Sequence, residues 1–346
     1  MQVVLLTLDG SRYGEIFGGV DAELAQRQHL PAERIVSADE LTPRLHQLIQ
    51  SGVALGAPGH GAPISASGPD FVSLPGYSEL FSGRRVTGCQ NNDCGGTSVP
   101  SFVDQLLEQS RGKRSAAIIT SWPDIARVAG TSNAAAVSAG RHAGATRSRF
   151  QARSSLKTLL ARGEAGLPWP GNGDFRRDRS TAELALAYLD VEQPSFLFVG
   201  LGETDEFAHQ NDYAGYLDAL GEADHYIGRI ADVLQRRAEQ GVRTALFVTA
   251  DHGRSHGFRD HGAAYPESAR VWLVAAGSAI QRRGLYAAGR SIIWRTLRLH
   301  CASCSACAPT TTKMRAFRYS ACLAPRINKG RASEFDSRLR GVKIKA

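Results

Sequence analysis

The sequence predicts an α/β protein with a mostly parallel central sheet, and three observations carry that prediction. Three apolar runs of strand length, Val3–Leu8, Ser195–Val199 and Thr244–Thr249, lack polar alternation, the pattern of strands buried on both faces. Each run leads into a glycine-containing turn with an aspartate: Asp9-Gly10, Gly200 to Asp205, and Asp251-His252-Gly253. Helical periodicity separates them, longest over Tyr213–Arg237, where Leu217, Leu220, Ile227, Ile230 and Leu234 share one side. Open parallel sheets bind ligands beyond the carboxyl ends of their strands, so these turns are also where chemistry is expected.

The 346 residues suffice for one large α/β domain or two smaller ones. A hydrophobic fraction of 42% and a charged fraction of 21% are ordinary for a soluble globular protein. No apolar run is long enough to predict a membrane span. The N-terminus enters the first strand with neither a basic region nor a cleavage site, so a cytoplasmic protein is expected; a shortened start would make it periplasmic or secreted. The net charge of +8 invites nucleic acid as a partner. After Gly277, however, about fifteen Lys and Arg face only Glu334 and Asp336, which leaves the body at about −5. A nucleic-acid module would therefore have to use the tail, with salt-sensitive binding. Cys89 and Cys94 lie in the body, Cys301, Cys304, Cys307 and Cys322 in the tail. No disulfide framework is expected in the body, and Cys89 and Cys94 lack the co-ligands of a metal site.

Asp9 either presents a carboxylate at a strand end or simply forms a turn before Gly10. Helices are expected over Asp21–Gln28 and Asp39–Ile49, the second capped by Asp39 or Thr42. Residues 52–69, rich in Gly, Ala, Pro and Ser, read as loop. A short apolar segment then delivers Ser73, and a helix is expected to start just after Pro75. A serine at a helix N-terminus sits at the positive end of the dipole, which favours an alkoxide and binds phosphate; the plainer reading is a cap. Cys89 to Gly96 is a polar loop whose asparagines are donors to a phosphoryl oxygen or turn formers. Pro100–Gln109 reads as helix, Ala116–Thr120 as strand and Trp122–Val128 as helix. Residues 130–180 read as an insertion or cap over the site. The helix Thr181–Leu189 precedes the strand at Ser195. If Asp205 opens a helix, His209 shares its face one turn later, a pairing that suits Zn²⁺ or a similar cation; a capping Asp and a packed His are the alternative. Asp251 and His252 can turn toward one cation or be turn residues. His261-Gly262 follows, and Ala269–Ala276 reads as the next strand.

Together Asp9, Ser73, Asp205 with His209, and Asp251-His252 with His261 supply two cation sites with a hydroxyl between them. Two metals about 4 Å apart can hold the attacking and leaving oxygens of an in-line displacement. At these residues the chain resembles the alkaline phosphatase superfamily, in particular its nucleotide pyrophosphatase/phosphodiesterase branch. The matching segments are Asp9-Gly10-Ser11-Arg12, Ser73 to Glu79, Thr204 to His209, Asp251-His252-Gly253-Arg254 and His261-Gly262. The resemblance implies a three-layer α/β/α domain over residues 1–280, with 130–180 as a small cap. It implies that Asp205, His209 and His261 hold one metal, and that Asp9, Asp251, His252 and Ser73 hold the second. Zn²⁺ is the usual ion, with Mn²⁺ or a single Ca²⁺ in some branches. It further implies attack by Ser73 on a small phosphate ester, a phosphoseryl intermediate, and support of the transferred group by Asn92, or by Asn91.

Departures narrow the expectation. Ser73 to Tyr77 lacks the Arg of the sulfatase motif Cys/Ser-x-Pro-x-Arg. Gly200 stands where the monoesterase carries the Glu of a third metal site. The 130–190 segment is short for the second domain of the phosphomutases. What remains is a two-metal phosphoric ester hydrolase, a phosphatase or phosphodiesterase. The alternatives are an inactive or truncated remnant, and a sulfatase or phosphomutase-type member. Residues 281–346 read as an atypical basic tail, disordered or non-native, in which Cys301-x-x-Cys304-x-x-Cys307 lacks a convincing fourth ligand beyond Cys322. With such a tail, the body is expected to lack its last sheet elements.

Overall fold

Strand residues sort by parity onto two buried faces. In β1 (Gln2–Leu8), Val4, Leu6 and Leu8 join one apolar cluster while Val3 and Leu5 join another. The same split divides Leu197, Val199 and Leu201 from Phe196 and Phe198, and Leu246 and Val248 from Ala245 and Phe247. Side chains alternate across a strand, so two clusters mean a sheet covered on both sides.

The computed structural model describes residues 1–85, 87–95, 99–130, 133–289 and, by backbone alone, 292–293. The strands after β1 are β2 (Val53–Leu55), β3 (Ile64–Ser65), β4 (Ala116–Thr120), β5 (Ala136–Ala139), β6 (Phe196–Leu201), β7 (Thr244–Thr249), β8 (Arg270–Val271), β9 (Leu273–Ala276), β10 (Gly284–Leu285) and β11 (Ile292–Ile293). Among the described residues, the main sheet runs β10-β2-β9-β7-β1-β6-β4-β5 and a small one runs β11-β3-β8. In the main sheet only the pairings of β9 with β2 and β7 are antiparallel. Helices Pro43–Ser51, Ser154–Ala165, Asp178–Glu192 and Tyr213–Glu239 cover one face. Ser73–Ser82, Phe102–Ser110 and Ala126–Ala129 cover the other. The chain is thus an α/β protein built on a mostly parallel sheet, as predicted. None of its described helices is long and apolar enough to cross a membrane.

Several local expectations are corrected. Residues 52–69 are not all loop, since β2 and β3 lie within them; strands this short are made by their partners rather than by their own pattern. The segment 130–180 is not simply a cap: it supplies the edge strand β5 and the helix Ser154–Ala165 packed on the sheet. The four small, buried residues of β5 carry no strand signature. The helix expected over Asp39–Ile49 breaks at Thr42 into Ala38–Leu41 and Pro43–Ser51, because proline disfavours the helical conformation in the residue before it. The strand expected over Ala269–Ala276 divides at Trp272 between the two sheets. The main sheet also continues past residue 280, where β10 pairs with β2. The tail cysteines Cys301, Cys304, Cys307 and Cys322 lie outside the described residues.

Candidate metal and nucleophile site

Three adjacent central strands release the candidate ligands at their carboxyl ends. β1 hands over to Asp9, and β7 to Asp251 and His252. β6 passes through Gly202 into the helix Glu203–His209, with Asp205 in its first turn and His209 at its end. The i, i+4 spacing brings His209 Nε2 to 3.1 Å from Asp205 Oδ2. Because β1 lies between β6 and β7, the three turns converge.

Ser73 arrives from outside the sheet as the first residue of the helix Ser73–Ser82. The helix therefore begins before Pro75 rather than after it. Proline is tolerated in the first turn, where a backbone N–H has no intrahelical partner anyway. Phe81 anchors this helix, with its ring centroid 4.8 Å from Phe198 of β6 and 5.7 Å from Phe102. Gly76 lets it approach the sheet: a Cβ there would lie 2.7 Å from the Asp251 carbonyl oxygen and 3.3 Å from Asp251 Cβ. Gly76→Ala is expected to push the serine helix away from Asp251 and to lower the thermal midpoint. A parent-like midpoint would mean that the helix shifts without cost.

Ser73 Oγ donates to Asp9 Oδ1 at 3.4 Å and lies 3.2 Å from His252 Nε2. His252 Nε2 is 3.5 Å from both Asp9 Oδ1 and Asp251 Oδ2. His261 Nε2 is 3.1 Å from His209 Nε2 and 3.8 Å from Asp205 Oδ1. Two groups of potential ligand atoms result, Asp9 with Asp251 and His252, and Asp205 with His252 and His261. His252 thus stands in both, whereas the resemblance implied a place for it in one set alone, with Asp9, Asp251 and Ser73. His209 borders the second group and is 45% exposed.

The donor set fits a divalent cation. Nδ1 of His252 and of His261 faces a backbone carbonyl, of Gly253 and Phe71 respectively, at 2.9 Å. A carbonyl only accepts, so Nδ1 holds the proton and Nε2 turns its lone pair to the cluster. Burial lowers the His252 pKa to about 4; burial and the neighbouring His252 lower that of His261 to about 3. Both rings are therefore neutral, as ligands must be. Burial and the charges of Asp251 and Asp205 raise the Asp9 carboxyl well above its usual range. Burial, with the charge of Asp205, pushes Asp251 up to about 7. Asp251 Oδ1 accepts the Gly10 N–H, while the buried Oδ2 has no hydrogen-bond partner among the described residues. Buried carboxylates without a counter-charge are costly, and a cation would relieve them.

Sequence reasoning gave no role to several supporting residues. Tyr77, one turn after Ser73, donates to Asp9 Oδ2 at 3.0 Å, which leaves Oδ1 facing the serine. The buried Arg254 pairs with Asp205 Oδ1. Burial opposes ionisation of Asp205, yet Arg254 and His209 hold its carboxyl well below the usual range. Gly10, at φ +56°, makes room for this pair: a Cβ would lie 2.4 Å from Asp205 Oδ1. The one-turn spacing of Ser73 and Tyr77 was a usable signal, whereas the Arg254 pairing spans 49 residues. Of the two asparagines, Asn92 reaches the serine helix, its Oδ1 accepting the Leu74 N–H at 2.9 Å. Asn91 Oδ1 accepts the Asp93 N–H in a turn. Cys89 and Cys94 form a disulfide, contrary to the expectation of none in the body.

Residues 172–265 match the family model of the Metalloenzyme superfamily. No curated protein sequence matches the chain. Among solved structures, the sulfatase-like protein yidJ of Bacteroides fragilis is 14% identical with a TM-score of 0.50, over 86% of this chain and 72% of that one. An alkaline phosphatase superfamily protein of Vibrio parahaemolyticus is 14% identical with a TM-score of 0.49, over 86% and 64%. The TAB5 alkaline phosphatase, in a variant with bound magnesium, is 12% identical with a TM-score of 0.47, over 85% and 94%.

Proposed function

We propose, from the fold shared with the sulfatase-like neighbour and the Metalloenzyme superfamily match at residues 172–265, that the chain is an alkaline phosphatase-like, metal-dependent phosphoric ester hydrolase with Ser73 as nucleophile. The observation that carries this reading is the position of Ser73 Oγ, at a helix N-terminus and within 3.4 Å of both Asp9 Oδ1 and His252 Nε2. A hydroxyl set against one ligand group and beside another suits a two-metal displacement at phosphorus.

Asp205, His209 and His261 would hold one ion, and Asp9, Asp251, His252 and Ser73 the other. Bound Zn²⁺, suited to a carboxylate and imidazole set, would polarise the phosphoryl oxygens and favour the serine alkoxide. The Ser73 hydroxyl faces Asp9 Oδ1, and the helix dipole stabilises negative charge on Oγ. As Oγ bonds to phosphorus, the bond to the leaving oxygen breaks; water then cleaves the phosphoseryl ester and restores the hydroxyl. Asn92, with Oδ1 committed to Leu74, keeps its NH₂ to donate to the transferred group. Tyr77 occupies the position of the sulfatase motif's Arg and is hydrogen-bonded to Asp9, which favours phosphoryl over sulfuryl esters. The choice between the phosphodiesterase branch and a monoesterase belongs to the same proposal.

Purified protein is expected to carry about two divalent ions per chain. It is expected to hydrolyse p-nitrophenyl phosphate or bis-p-nitrophenyl phosphate in a chelator-sensitive way, the better substrate naming the branch, and p-nitrophenyl sulfate poorly. Folded protein with no metal and no turnover would leave the remnant reading in its place.

A further inference from the structure

The loop 87–95 is largely exposed, and its one buried side chain is that of Cys89. Such a segment has little apolar packing to hold it. It is nonetheless fastened at both ends of the Asn92 turn. The Cys89–Cys94 disulfide closes it. Arg127 donates from Nη1 to the Cys94 carbonyl and from Nη2 to the Asn92 carbonyl, each at 2.8 Å. Asp124 Oδ2 holds the same guanidinium at 2.7 Å. A planar fork that meets two carbonyls at once fixes orientation as well as distance.

The fastened residue is the one that touches the nucleophile's helix. The Leu74 N–H lies in the first turn of that helix and has no intrahelical partner. Only an oxygen can accept from it, so Asn92 Oδ1 is the end facing Leu74, and the amide NH₂ is set by planarity. A continuous path runs from Arg127 and the disulfide through Asn92 to the residue after Ser73.

We propose that Arg127 and the Cys89–Cys94 disulfide are positioning elements for Asn92, so that opening the disulfide lowers turnover at Ser73; this rests on the hydrolase reading above. A trialkylphosphine opens the bond by a two-electron reduction. The Sγ–Sγ bond breaks, two protons from water give two thiols, and the phosphine takes the water oxygen as its oxide.

The test uses the full chain loaded with Zn²⁺ and the nitrophenyl ester that the parent cleaves best. Asn92→Ala is expected to lower kcat about 10- to 100-fold. Arg127→Ala, the double variant Cys89→Ser/Cys94→Ser and phosphine treatment are expected to lower it about 5- to 50-fold with KM little changed. Added guanidinium restores Arg127→Ala, while Arg127→Lys stays impaired. In an Asn92→Ala background none of the three lowers kcat by more than about twofold further, since the path is already cut. Reductions that multiply in that background overturn the proposal. Amide hydrogen exchange supplies a readout independent of activity. Leu74 is expected to exchange faster in Arg127→Ala and in phosphine-treated protein, with β6 unchanged as a control for folding. A parent without turnover defeats the hydrolase reading yet leaves the exchange result informative. Unchanged Leu74 exchange after reduction defeats the positioning proposal even where turnover is high.

Discussion

Ser73→Ala is expected to lower hydrolysis of the parent's preferred nitrophenyl ester by about 10³-fold or more. The change removes one hydroxyl whose partners are Asp9 Oδ1 and His252 Nε2. Neither contact holds the helix Ser73–Ser82, which is anchored by Phe81. The thermal midpoint should therefore stay within a few degrees, and the Asp205, His209 and His261 group should keep its ion. Acid quenching during turnover is expected to leave phosphate on Ser73 in the parent and none in the variant. Turnover at the parent rate in Ser73→Ala would falsify the nucleophile assignment, whatever the metal content.

Asp251→Asn is expected to separate activity from stability. Outer-sphere partners of metal ligands are worth about 10- to 100-fold, so loss of a ligand oxygen should cost at least about 10²-fold in turnover, with bound metal reduced. The metal-free protein should respond in the opposite sense. The Asp251 carboxyl is pushed up to about 7, chiefly by burial, against an ordinary value near 4 in an unfolded chain. A group with a raised folded pKa contributes fully below the unfolded value, and its contribution is lost as pH rises through the folded one. Metal-free parent thus loses stability from this residue between about pH 4 and pH 7. Asparagine keeps the oxygen that accepts the Gly10 N–H and removes the charge. Chelated Asp251→Asn should melt above chelated parent, with a larger margin at pH 8 than at pH 5. Thermal scans at the two pH values check this, and an equal margin at both would show that the Asp251 charge is not the source of the strain.

The legible part of the molecule is its centre. β1, β6 and β7 announce themselves because strands buried on both faces are continuously apolar, and each is followed closely by a candidate ligand. The margins were not legible for equally physical reasons. β5 is built from Ala136, Val137, Ser138 and Ala139, too small to show a pattern. β2 and β3 exist through their pairing with β9 and β8. At the site, the residue types were readable, but their partnership was not. That His252 belongs to two groups, that Arg254 sits on Asp205, and that Arg127 grips the Asn92 loop are properties of approach through space.

The sheet order sets a schedule for synthesis. The strand that begins the chain lies between two that arrive late: Val3 pairs with Phe196 on one side and Ala245 on the other. At ribosomal speeds of about 5–20 residues per second, β1 waits on the order of ten seconds or more for its first central neighbour. Closing loops of that length before any pairing rewards them makes folding slow. Through that interval an apolar edge with open backbone hydrogen-bonding groups stands unprotected, the kind of surface that chaperones cover and that aggregates when they do not.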